Sequence, residues 1–149
     1  MSEIQYNCCL VISVDGRRIL LCRRQKDPFR GKLNLVGGKR EPGESPLEAA
    51  YRELYEETGI DKDIIELIHL MDMDYPFLGY SLEIFYGKLL EEPVLREELN
   101  PLEWVSTEDD FTDMARFAGA ANIQHIVNIT KMYEKELLEW KAKRSLREL

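Results

Sequence analysis

Tyr6 to Val14 is a run rich in β-forming residues, and a second apolar run extends from Arg18 to Arg24. Asp15-Gly16 stands between them, and an Asp-Gly pair favours the positive backbone angles of a tight turn. The chain is therefore expected to open as a β-hairpin. Pro28, Gly31 and Asn34 then punctuate a loop, and Leu35-Val36 reads as a short strand running into Gly37-Gly38 and a second turn at Pro42-Gly43. Ser45, Pro46 and Glu48 form a helix start: a capping hydroxyl, proline at the first helical position, and an acid three residues after the cap. The spacing predicts a helix from about Pro46 to Thr58, with Leu47, Ala50, Leu54 and Tyr51 as its buried stripe and Gly59 as its stop. Ile64 to Asp72 and Tyr80 to Leu90 read as further strands, and Trp104-Val105 as a short one after the Pro101 loop. Asn122 to about Lys143 is expected to be a second helix. Its stripe of Ile123, Ile126, Thr130, Tyr133, Leu137 and Trp140 belongs either in the core or in a seam between two copies. Lys141 to Leu149 is expected to be a fraying end.

Length changes little in this picture: 149 residues without internal repeats or low-complexity stretches suit one domain over 1–149. With 44% hydrophobic and 32% charged residues, the composition is that of a globular chain with a real core. No apolar run reaches the roughly 20 residues a membrane span needs, and Met1 to Asn7 lacks the pattern of a signal peptide. The expectation is a cytoplasmic protein with no membrane partner. Cys8, Cys9 and Cys22 cannot all pair with one another, and neighbours on a strand point to opposite faces, so reduced and partly buried thiols are expected.

A formal net charge of -8 argues against a nucleic-acid polymer as partner, since such binders collect basic charge to displace counterions. The charge is unevenly spread, however. Arg17, Arg18, Arg23, Arg24, Lys26, Arg30, Lys32, Lys39 and Arg40 fall in one stretch interrupted by the single acid Asp27. Such a block is either a solvated face or an attractive surface for a small polyphosphate, with Arg23 and Lys39 as the candidate contacts.

Chemistry enters with the first helix, where Glu53, Glu56 and Glu57 stand at spacings of three and four and share nearly one face. Like charges so arranged cost some tenths of a kcal/mol per pair on a helix surface. A hard divalent cation would compensate, since carboxylate oxygens suit Mg²⁺, with Mn²⁺ as a substitute. A solvated acidic face is the alternative.

The flanking residues change that balance. GKREPGESPLEAAYRELYEETGI, Gly38 to Ile60, resembles the Nudix box, with Gly38, Glu44, Arg52, Glu53, Leu54, Glu56, Glu57, Gly59 and Ile60 filling its defining positions without a gap. The resemblance covers those 23 residues directly. It implies an α/β fold, the family's α/β/α sandwich with a mixed sheet between helices, and a metal-dependent pyrophosphohydrolase. By resemblance Glu56 and Glu57 hold the metal, the Gly37-Gly38 turn brings a carbonyl oxygen to it, and Arg52 aims a box carboxylate. Water attacks a diphosphate phosphorus, with Glu53 as first choice of base and Glu44 as another. EELNPLEW, Glu97 to Trp104, is similar to the MutT-like segment in which a loop glutamate completes the metal site, which points to Glu98.

Two asparagines bear on the nucleotide, because an amide offers a base edge both donor and acceptor. Asn122 sits where MutT-type 8-oxo-dGTP diphosphatases carry an Ala-Asn pair, although it also suits a helix N-cap. Asn34 resembles the asparagine before the Gly-Gly turn of the mammalian oxidised-purine triphosphatases, with Leu33 replacing a tryptophan; a plain turn asparagine is the alternative. The expectation is a nucleoside triphosphate cut to monophosphate and pyrophosphate, oxidised dGTP being the first choice. Pro76 stands roughly where ADP-ribose-cleaving members place a proline, so that substrate is the second reading. A non-catalytic nucleotide sensor is the third, and such domains commonly lose box acids. The partner expected is a small nucleotide, and the assembly a monomer or homodimer.

Overall fold

The computed structural model describes residues 4–147. Its elements run β1 (Ile4–Ile12), β2 (Arg18–Arg23), β3 (Leu33–Leu35), α1 (Pro46–Thr58), β4 (Ile68–Tyr75), β5 (Tyr80–Lys88), β6 (Leu102–Ser106) and α2 (Asn122–Arg147). The strands form one six-stranded sheet in the order β3-β2-β1-β5-β4, with β6 also paired to β2. β1 runs parallel to β5, and the other pairings are antiparallel, so the sheet is mixed.

Alternation along the strands builds two cores. Cys9 and Val11 of β1, with Leu20 and Phe85, face Ala50 and Leu54 of α1. Leu10 and Ile12, with Ile19, Leu21 and Ile84, face Ile123, Ile126 and Val127 of α2. The result is the expected α/β/α sandwich, because successive side chains of a strand supply opposite layers.

One irregularity positions the site. β1 pairs with β2 at Ile19 and Leu20, but at Leu21 to Arg23 the same edge of β2 is occupied by β3. The segment after β3 then crosses to β1, where Cys9 N donates to Val36 O, Asn7 N to Gly38 O and Arg40 N to Gln5 O. The Gly37-Gly38 turn is thus wedged between β1 and the helix that follows it. A Cβ on Gly37 would lie 1.9 Å from the Asn7 carbonyl oxygen, so no larger residue fits the wedge.

The opening hairpin, α1 and β5 lie within a residue or two of the sequence expectations; β4 starts at Ile68, later than Ile64, and runs on to Tyr75. Ser45 caps α1 by accepting from Glu48 N, and Gly59 ends it in the left-handed region, its N–H donating to Tyr55 O. Of the expected stripe, Ala50 and Leu54 are buried and Tyr51 is half-buried, but Leu47 is 42% exposed, and Ala49 and Thr58 are buried as well. α1 is rolled so that Glu53 and Glu57, rather than Leu47, turn toward the sheet. α2 is also longer than expected, continuing as helix to Arg147 where a fraying end was predicted from Lys141. Its buried positions stop at Thr130, and Tyr133 and Trp140 are exposed. Residues 1–3 of the stretch read for a signal peptide, and 148–149 of the predicted frayed end, lie outside the described residues. No helix among the described residues is long and apolar enough to cross a membrane.

Candidate active site

The acidic face of α1 is organised by a single guanidinium. Arg52 Nε and Nη2 donate to the Glu44 carboxylate at 2.7 and 2.8 Å, Nη1 reaches Glu53 at 3.0 Å and Glu56 at 3.2 Å, and Nη2 also donates to the Lys39 carbonyl at 3.1 Å. Such a fork fixes planar carboxylates in a way a lysine could not. It holds the Glu44 carboxyl down at about 2, helped by the Glu41 N–H, while the guanidinium is itself pushed up by the carboxylates it serves.

Glu53 and Glu57 behave oppositely. Burial pushes the Glu57 carboxyl up to about 7, and the neighbouring charges of Glu53 and Glu98 add to the effect, against the Gly37 N–H that donates to its Oε2 at 3.3 Å. Burial raises Glu53 too, in spite of Arg52. Gly38 lies directly over this carboxylate: a Cβ there would sit 2.3 Å from the Glu53 carboxyl carbon. Asn7 clasps the same glycine from the other side, its N–H donating to Gly38 O at 2.8 Å and its Oδ1 accepting from Gly38 N at 3.2 Å. The carbonyls of Val36 and Gly38 are thereby taken by β1, and that of Gly37 is not used in this pairing.

The donor set of Glu56, Glu57, Glu98 and the Gly37 carbonyl is all oxygen and fits a hard divalent cation, which would relieve the repulsion that Glu53 and Glu98 exert on Glu57. Among the described residues no three acidic, histidine or cysteine side chains are already drawn together as tightly as ligands around one ion. Arg52 carries the compensating charge for Glu53 and Glu56 meanwhile.

Glu98 reaches this neighbourhood from the loop before β6, lining a small cavity with Glu57, Cys22 and Asn100. Its neighbour Glu97 instead accepts from Leu102 N at 2.6 Å. Beside it opens the main cavity, about 640 Å³, which runs from Glu57 and Gly37-Gly38 to the start of α2. That volume suits a nucleotide-sized ligand. Asn34 and Asn122 both line it, as do Tyr75 and Phe29. Asn34 Oδ1 accepts from Leu35 N at 2.9 Å. Asn122 is the first residue of α2, yet its amide nitrogen donates to the Tyr75 hydroxyl at 3.1 Å.

Two expected contacts fall elsewhere. Arg23 lines a separate groove, paired there with Glu103 at 2.6 and 3.0 Å, and it is Arg24 that lines the main cavity with Glu57. Lys39 is exposed and takes part through its backbone carbonyl. Neighbours on a strand point opposite ways, and the sequence shows the Arg-Arg pair without showing which member faces in. Asn7 and Tyr75 were not singled out from sequence; each acts across strands, and no local motif marks it. Pro76 is exposed in the β4–β5 turn, where its carbonyl accepts from Gly79 N at 3.2 Å. Cys8 and Cys22 line the cavity as free thiols, and burial first, then the Glu57 charge, pushes each up to about 12. Thiols so protonated are poor nucleophiles.

The NUDIX domain model matches residues 5–123, a span that holds the hairpin, the whole acidic helix and the cavity wall as far as Asn122. The chain belongs to the Nudix family. It is 32% identical over 106 residues, 68% of this chain and 82% of the relative, to the 8-oxo-dGTP diphosphatase of Escherichia coli K12. It is 40% identical over 62 residues, 38% of this chain and 37% of the relative, to the ADP-ribose pyrophosphatase of Methanocaldococcus jannaschii. Among solved structures, a MutT from a study of Aliivibrio salmonicida and Vibrio cholerae superposes with a TM-score of 0.63 at 25% identity, covering 86% of this chain and 95% of that one. Across the first three curated relatives the share of their own length spanned by the chain runs from 26% to 82%. The chain is a MutT-like member of this family of hydrolases.

Proposed function

We propose that this Nudix hydrolase cuts a nucleoside triphosphate to the monophosphate and pyrophosphate, with oxidised dGTP as the preferred substrate, and that residues 1–149 act as one catalytic domain. The observation that carries the reading is a single cavity lined by the box glutamate Glu57, the Gly37-Gly38 turn, Asn34 and Asn122. Its volume of about 640 Å³ would admit a nucleotide, with the purine meeting the two amides and the phosphates meeting Glu57 and Arg24.

Glu56, Glu57, Glu98 and the Gly37-Gly38 turn would hold a divalent cation, Mg²⁺ or Mn²⁺. When bound, the cation neutralises phosphate oxygens and lowers the pKa of water. Glu53 is the base that takes the proton of the attacking water. A base must be ionised yet basic enough to accept a proton, and Glu53 is raised by burial whereas Glu44 is pinned at about 2 by Arg52. Glu44 then serves to anchor Arg52, and Arg52 to aim Glu53. Arg24 offers a cation to the phosphates, in the role that the sequence had suggested for Arg23.

The test is product release from 8-oxo-dGTP, ordinary dNTPs, ADP-ribose and NADH, with Mg²⁺ and with chelator. Metal-dependent pyrophosphate release favouring 8-oxo-dGTP is expected. Preference for ADP-ribose would overturn the triphosphate assignment, and nucleotide binding without any turnover would make the domain a sensor. Glu57→Gln keeps the size of the side chain and removes its charge; it is expected to abolish metal-dependent turnover while the circular dichroism spectrum stays that of the parent. Undiminished activity at saturating Mg²⁺ would remove Glu57 from the metal site.

A further inference from the structure

An asparagine that reads a base is informative only if its amide is held one way round, since a flip exchanges donor for acceptor. In the cavity of this chain Met73, Tyr75 and Asn122 bear on that orientation. The Tyr75 hydroxyl sits 3.9 Å from the Met73 sulfur, to which it donates, and its oxygen receives the Asn122 amide nitrogen at 3.1 Å. With its proton directed at sulfur, the hydroxyl presents lone pairs to Asn122, and a flipped amide would be met only by turning that proton away from Met73. The ring itself is fixed by packing: Tyr75 lies 5.2 Å from Tyr80, which meets Tyr6 edge-on at 6.0 Å, and all these rings line the cavity. The contact with Tyr75 is the only side-chain hydrogen bond of Asn122 among the described residues.

We propose that Tyr75 is a positioning residue for base selection, its hydroxyl locking Asn122 with the amide oxygen toward the ligand, so that the site favours a purine presenting an N–H there. The inference rests on the oxidised-purine reading above. Guanine offers a bare N7 acceptor on this edge, whereas oxidation at C8 puts a proton on N7 and makes it a donor. An amide oxygen facing the cavity attracts the second and repels the first. Without the tyrosine hydroxyl the amide turns freely and the distinction fades.

The experiment compares kcat/KM for 8-oxo-dGTP and dGTP, with Mg²⁺, in the parent protein, Tyr75→Phe, Asn122→Ala and the double variant. Tyr75→Phe keeps the ring and its stacking. It is expected to lower the oxidised-to-ordinary preference about tenfold, the scale of one lost orienting hydrogen bond. Acting through Asn122, it should add nothing in the double variant beyond Asn122→Ala alone. A preference unchanged in Tyr75→Phe, or a loss that adds to that of Asn122→Ala, would overturn the positioning role of Tyr75 while leaving the oxidised-purine reading in place. A parent protein with no preference for 8-oxo-dGTP would overturn both.

Discussion

At neutral pH Glu57 is held in the fold against its own charge. Its carboxyl is raised by burial from an ordinary 4.5 to about 7, so between those values the folded state binds more protons than the unfolded one. Stability then falls as pH rises through that window, and the loss is complete above it. Glu44 has the opposite sign, but its contribution is lost only as pH falls from the ordinary carboxylate range toward about 2, so it is silent here. In chelator, Glu57→Gln is expected to melt above the parent protein at pH 8, with the gap shrinking at pH 5. Melting curves of both proteins at the two pH values check this, and a gap independent of pH would show that burial of the charge is not what strains the site. The box residues were legible as a set because their spacing is local, and Arg52 as their partner for the same reason. Which arginine of the Arg23-Arg24 pair meets the cavity was not, since a strand presents both faces.

α1 shows how an element accommodates such strain. Its start is local chemistry: Ser45 Oγ accepts from Glu48 N at 3.1 Å, and Pro46 has no N–H to leave unsatisfied. Ser45→Ala is expected to cost about 1 kcal/mol, measured by urea denaturation, and activity per folded molecule should be little changed. Its end is local too, because Gly59 adopts φ 78 at the αL stop. The rotation of the helix about its own axis is not local. A stripe drawn from hydrophobicity alone includes Leu47, but Ala49 and Ala50 allow close approach to the sheet and bring Glu53 and Glu57 under the glycine turn. The boundaries of β3 follow the same rule in reverse, its three residues ending where the chain must cross from β2 to β1.

Over the whole molecule the two helices cover opposite faces of the sheet, but unequally. α2 is 26 residues long and buries side chains only as far as Thr130. Ile126→Ala, deep in the core, is expected to cost about 2–4 kcal/mol, and Trp140→Ala to fall within about 0.5 kcal/mol. Equilibrium unfolding gives both numbers. A larger loss at Trp140 that grows with protein concentration, together with a dimeric mass in sedimentation, would make the distal part of α2 a seam between copies, one of the two roles its apolar stripe suggests.

What the sequence by itself determined here is whatever depends on neighbours a few residues apart: the hairpin turn, the caps of α1, the spacing of its glutamates and hence the family. What only the tertiary structure decided depends on residues far apart in the chain meeting across strands. The clasp of Asn7 on Gly38, the exchange of Arg23 for Arg24 and the meeting of Tyr75 with Asn122 are of that kind. The last of these joins residues 47 positions apart, a contact that no local pattern encodes because it exists only once α2 has docked against the sheet.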